Sequence, residues 1–149
     1  MEEFATGELA DTVDIVQRRA GLLLRQLMIP GDEDAPRPDA KELADAALRT
    51  WSLPEIAAYR GCLIPELPVY GPVSGSAETF VSGRADAVAY KEGALAMVFD
   101  WKSDVAPSPA DHALYAGQLA QYLRVLGGER GAIVYMTSGF VHWVTAGKV

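Results

Sequence analysis

The chain has 149 residues, half of them hydrophobic and 22% charged, a globular composition in a length that suits one domain with a substantial core. Its net charge of −7 argues against a general nucleic-acid-binding module, which is usually basic, but not against an acidic enzyme whose carboxylates are neutralised by bound cations. One cysteine, Cys62, excludes an internal disulfide or a cysteine cluster. With no apolar signal run after Met-Glu-Glu-Phe and no membrane-length stretch, a cytoplasmic, reducing home and no membrane partner are the expectation.

In chain order, apolar residues at helical spacing (Leu9, Val13, Val16, Leu23, Leu24, Leu27) predict a helix from about Glu8 to Met28, with Gly21 interrupting but not ending it. Pro30-Gly31 stops it, and Asp32 to Pro38 reads as an acidic loop. A second helix is predicted from Asp39 or Ala40 to Arg49, capped by Asp39, and Pro54 opens a short one over Glu55 to Tyr59. Cys62 to Tyr70 reads as a strand. Pro65 and Pro68 confine it to an edge or an irregular run, with Glu66 in its middle. Gly71 to Ala77 is a loop.

Val81 to Ser103 reads as a β-hairpin around a three-residue loop, Lys91 to Gly93. Leu95, Met97, Phe99 and Trp101 alternate onto one face, with Ala96, Val98, Asp100 and Lys102 on the other. Pairing Tyr90 with Ala94 puts Asp86 opposite Val98 and diagonal to Asp100, about 7–8 Å away on the same face. Two carboxylates that close repel unless a cation lies between them, and hard oxygen ligands suit Mg²⁺ or Mn²⁺. Lys102 would stand beside them as a point charge for a phosphate.

A proline loop, Asp104 to Pro109, then leads to a helix from about Ala110 to Leu126, closed by Gly127-Gly128. Strands follow at Arg130 to Thr137 and Val141 to Val144. The order is α/β, with a right-handed crossover expected through the 110–126 helix. His112 and His142 read as ordinary residues, one near a helix start and one in the last strand.

Gly83-x-x-Asp86, Asp100-x-Lys102 and Tyr115-x-x-Gln118-x-x-x-Tyr122 together resemble the RecB/AddA-type nucleases of the PD-(D/E)XK superfamily. A lone D-x-K is common on surface strands; its combination with G-x-x-D across a hairpin and Q-x-x-x-Y on a following helix is far more specific. The resemblance covers Arg18 to Val149 and is firmest from Glu66 to Tyr122. It implies a restriction-endonuclease-like core, a mixed β-sheet flanked by helices on both faces. It also implies Mg²⁺- or Mn²⁺-dependent cleavage of DNA, single strands or ends above all, beside a helicase partner in double-strand-break repair. The phosphate-binding G-x-x-x-x-G-K-[ST] of a helicase is absent from this chain.

On that resemblance Asp86 and Asp100 ligate the metal, the Trp101 backbone carbonyl completes the shell, and Lys102 holds the attacking water or the phosphate. Glu66, in Ile64-Pro65-Glu66-Leu67-Pro68, matches the family's E-x-P strand near the metal. Gln118 and Tyr122 orient the lysine or contact the DNA backbone. One departure stands out. In the family's G-x-x-x-H frame, Gly21-Leu22-Leu23-Leu24-Arg25 carries Arg25 where a histidine ligand is usual, and a protonated guanidinium cannot ligate a metal. Either carboxylates suffice, or Arg25 binds phosphate, or activity is weakened. A catalytically degenerate module that docks a helicase or a DNA end is therefore the alternative, and RNA is a weaker alternative substrate.

Overall fold

A computed structural model of the chain describes residues 1–26, 39–72 and 80–147. The helix expected from Glu8 starts later, as α2 (Val13–Gln26), and a short helix that the pattern did not predict, α1 (Glu2–Ala5), precedes it. Gly7, at φ 76°, lies in the turn between them, while Gly21 lies inside α2. The Pro30-Gly31 stop and the acidic loop fall outside the described residues. α3 (Ala40–Ser52) begins at the expected cap: Asp39 accepts from the Glu42 amide, and Glu42 accepts from the Asp39 amide. It runs past Arg49 and buries Trp51, which stacks on Phe4 at 5.3 Å. It ends where Leu53, at ψ 135°, is held out of helical geometry by Pro54, the first residue of α4 (Pro54–Ala57). A 3-10 turn, Arg60–Cys62, leads into the sheet.

The sheet has five strands in the order β1 (Leu63–Pro72), β2 (Phe80–Lys91), β3 (Ala94–Lys102), β4 (Arg130–Tyr135), β5 (Phe140–Thr145). Neighbours are antiparallel except β3 and β4, which run parallel and are joined through α5 (Pro109–Leu126). A Ser108/Asp111 capping box starts α5, and Gly127, left-handed at φ 71°, ends it. Pro65 and Pro68 sit in β1, an edge strand, where a missing amide costs no ladder bond on the free side.

Helices cover both faces of the sheet. Trp51 and Ile56 bury one face with Ala87, Met97, Phe99 and Val134; Leu119, Tyr122 and Leu123 of α5 bury the other with Val88, Val98 and Ile133. The result is an α/β fold with a mixed sheet between helices, consistent with a restriction-endonuclease-like core. Among the described residues no helix is long and apolar enough to cross a membrane.

The hairpin register differs from the expected one, for two reasons that add. Its turn is the two-residue Glu92-Gly93, both at positive φ (53° and 80°), the primed geometry that matches strand twist, so Lys91 and not Tyr90 pairs with Ala94. A bulge between Ala89 and Tyr90 then inserts a residue into β3, pairing Tyr90 with Leu95 and Ala89 with Met97. Leu95 thereby packs with the α5 cluster, while Met97, Phe99 and Trp101 pack on the other face. The combined offset is two residues, which preserves the pairing parity of Asp86. It now lies one step beyond the Ala87–Phe99 pair, across from Asp100 and no longer across from Val98.

The Ala87–Phe99 pair is also the last of the β2–β3 ladder. Beyond it β2 continues with β1 to Phe80, and β3 continues with β4 to Lys102. The sheet forks there. β1 and β2 crease at the same level: Ala87 packs on the Trp51 side but Ala85 on the α5 side, and Glu66, across β1 from Asp86, sits at φ 55°.

Gly83 is required by the α5 contact. A Cβ there would lie 2.9 Å from Tyr122 Cζ and closer still to the Tyr122 hydroxyl, which takes a hydrogen bond from Gln118 Nε2 at 3.1 Å. Gly83→Ala is expected to cost about 1–3 kcal/mol in urea denaturation, with Tyr122→Phe in the same chain recovering only part, because Cζ remains in the way.

Candidate functional site

At the fork, backbone groups that would have paired across β2 and β3 need other partners. The Trp101 amide finds one in Asp86 Oδ2, to which it donates at 2.7 Å. In an extended strand the carbonyl of a residue points the same way as its amide, so the Trp101 carbonyl also faces the gap between β2 and β3. The alternation agrees: the Lys102 carbonyl, one residue on, accepts from the Met136 amide on the β4 side. The Trp101 ring turns to the helix-covered face and stacks on Phe99 at 5.3 Å.

Asp100 and Lys102 project to the α5 side. Lys102 Nζ lies 2.8 Å from Asp100 Oδ2, with side-chain exposures of 19% and 14%. That approach is not along a hydrogen-bonding direction, and among the described residues Asp100 Oδ2 is buried with no hydrogen-bond partner. Burial pushes the Asp100 pKa above the ordinary carboxylate value; contact with the Lys102 ammonium opposes this, and the neighbouring Asp86 carboxylate adds to it. The structure therefore brings Asp86, Asp100, Lys102 and the Trp101 backbone together.

Other expected site residues are placed differently. Glu66 pairs with Arg84 at 2.9 Å on a largely exposed part of the β1–β2 ribbon. Arg25 is exposed near the end of α2, in a cleft lined by Asp14, Gln17, Arg18, Gly21, Leu22 and Ala40, none of them a fork residue. Tyr122 is buried over Gly83, whereas Gln118 is exposed and spends its amide on the Tyr122 hydroxyl. Among the described residues no group of three or more His, Cys, Asp or Glu is close enough to hold a metal ion.

Several neighbours were not singled out from the sequence. Lys102 Nζ lies 4.4 Å from the centroid of the Tyr115 ring, and the Tyr115 hydroxyl donates to Asp104 Oδ2 at 3.3 Å. Below them Tyr135, its pKa raised chiefly by burial and next by Tyr115 and Asp104, shares a hydrogen bond of 2.6 Å with His112 Nδ1. Only the spacing of Tyr115 before Gln118 pointed to any of these. Tyr135 and Asp104 reach the site through the β3–β4 pairing, which one local window does not reveal.

A divalent cation fits these donors in part. Two adjacent carboxylates, one with a buried oxygen lacking a hydrogen bond, and a carbonyl facing the same gap are hard oxygen donors of the kind Mg²⁺ or Mn²⁺ prefers, with water supplying the remaining positions.

No family model matches the chain, and no curated protein matches it. Among solved structures it is similar to one titled "Crystal structure of SSO0001", at a TM-score of 0.46 and 14% identity, over 91% of this chain and 78% of that one.

The raised Asp100 pKa has a consequence for stability. The folded state holds this proton more tightly than the unfolded chain, so the stability it confers is full below the ordinary carboxylate pKa and is lost as pH rises through the raised value. In metal-free buffer the stability of Asp100→Asn relative to wild type is expected to rise between pH 3 and neutral pH, because the variant has no titrating carboxyl there, on top of a pH-independent cost of leaving Lys102 without its partner. Thermal melts at the two pH values check this.

Proposed function

We propose that this protein is a divalent-metal-dependent nuclease that hydrolyses phosphodiester bonds in DNA, with single strands or ends as substrate. The observation that carries the reading is the cluster at the fork: the Asp86 carboxylate, held by the Trp101 amide, lies beside the buried Asp100 carboxylate, and the Lys102 ammonium stands 2.8 Å from Asp100 Oδ2. Two carboxylates that close, one of them buried, repel each other and are a placement found more often at functional sites than elsewhere.

Asp86 and Asp100 would hold the cation, with the Trp101 carbonyl turned to the same gap. When bound, the metal neutralises phosphate charge and acidifies an attacking water. Asp86 stays fixed because its Oδ2 is committed to the Trp101 amide, which leaves its other oxygen for the metal. Lys102 places its ammonium beside that site, where it orients a scissile phosphate through a non-bridging oxygen or holds the attacking water. At −7 the chain offers little electrostatic attraction to DNA, so strong salt dependence and a partner that delivers substrate are part of the reading.

One placement favours a second reading, a non-cleaving module that docks a helicase or a DNA end. Glu66 is committed to Arg84 and Arg25 lies in another cleft, so neither completes the acidic set.

Labelled single-stranded DNA with Mn²⁺ separates the two. The nuclease reading expects cleavage by wild type, reduced at least about 100-fold in Lys102→Ala and in Asp86→Asn, with thermal stability retained. Asn is chosen at 86 because its oxygen still accepts from Trp101. If wild type and Lys102→Ala are equally inert, the docking reading replaces it.

A further inference from the structure

Lysine carries its charge on a flexible four-carbon stem, so an ammonium that must meet one phosphate needs fixing from more than one side. On one side of Lys102 stands Asp100, at 2.8 Å. On another the Tyr115 ring presents its face, with Nζ 4.4 Å from the centroid, inside the range in which the negative face of an aromatic ring attracts a cation. The ring is itself tethered. Tyr115 lies near the start of α5, and its hydroxyl reaches Asp104 in the loop that leaves β3 just after Lys102. Strand end, loop and helix are thus tied around the amine. Gln118, which the resemblance to nucleases implies either orients the lysine or contacts the DNA backbone, bonds Tyr122 here.

We propose that Tyr115 is a positioning residue for Lys102, holding the ammonium beside Asp100 with its ring face while Asp104 fixes the ring through the hydroxyl. Its part in catalysis rests on the nuclease reading; the clamp itself does not. Loosening it leaves the charge present but displaced from the phosphate, and a displacement of about 1 Å costs up to about 100-fold in rate. The loss falls on kcat more than on KM, because a displaced ammonium still attracts DNA.

The test uses protein labelled with ¹³C at the lysine ε-carbons, with Lys102 assigned by its absence in Lys102→Arg. A ring face shifts the nearby ε-protons upfield, and Lys91, whose Nζ lies 4.2 Å over the Tyr59 ring, is an internal control. The upfield shift of Lys102 is expected in wild type, in part in Tyr115→Phe, which keeps the ring but loses its tether to Asp104, and not at all in Tyr115→Leu, with Lys91 unmoved. Tyr115→Leu is expected to lower kcat at least tenfold with little change in KM, and Tyr115→Phe to restore most of it. A Lys102 resonance identical in wild type and Tyr115→Leu overturns the clamp; a lost shift with kcat unchanged from a wild type that cleaves DNA overturns the positioning role. If the shifts behave as expected but no variant and no wild type cleaves DNA, the clamp stands and the nuclease reading falls.

Discussion

A sheet that divides cannot satisfy its own backbone at the dividing point. Here β2 leaves β3 after the Ala87–Phe99 pair, and from that level onward the inward-facing groups of Trp101 have no strand opposite them. Asp86 substitutes for the missing strand by accepting the Trp101 amide. The carboxylate is therefore structural and exposed to chemistry at once. It maintains the fork, and the fork in turn brings it across from Asp100. Lys102, two residues beyond Asp100, must then face the same side of β3, and only α5 is placed to cover it. The crease at Glu66 lies at the same level as this opening, and β4 lines the other edge of β3 beyond it.

Two motifs that look separate in the chain are joined by the packing. Gly83 has no side chain because the Tyr122 ring occupies the space, and Tyr122 is held by Gln118 one turn earlier on α5. The G-x-x-D glycine and the Q-x-x-x-Y helix thus form one contact that sets how closely α5 approaches β2. This assigns Gln118 and Tyr122 to building the site wall. The residue that touches the lysine is Tyr115, three positions before Gln118.

Much of the architecture is legible in the sequence because it rests on local signals. The Asp39 and Ser108 caps, the Gly127 stop, the prolines of an edge strand and the alternation of Met97, Val98 and Phe99 each act within a few residues. The hairpin register is not legible in this way. A positive-φ Glu92 and a bulge at Ala89/Tyr90 each shift it by one, and neither residue type announces the geometry. Two shifts restore the pairing parity that one would reverse, while the crease between Ala85 and Ala87 decides where Asp86 itself turns, which is to the Trp101 amide. The partners of Glu66 and Arg25 are not legible for another reason: a motif fixes the strand or helix position of a residue but not its partner, and Arg84 pairs with Glu66 from the neighbouring strand. The polar set of Asp104, His112 and Tyr135 depends on the β3–β4 pairing, which only the folded chain reveals.

Calorimetric titration of the metal-free protein with Mn²⁺ decides whether Asp86 and Asp100 share one cation. The prediction is one ion bound per chain by wild type and by Glu66→Gln, and none at the same concentrations by Asp86→Asn or Asp100→Asn. Wild type that takes up no Mn²⁺, or an Asp100→Asn variant that binds it as tightly as wild type, would contradict the claim.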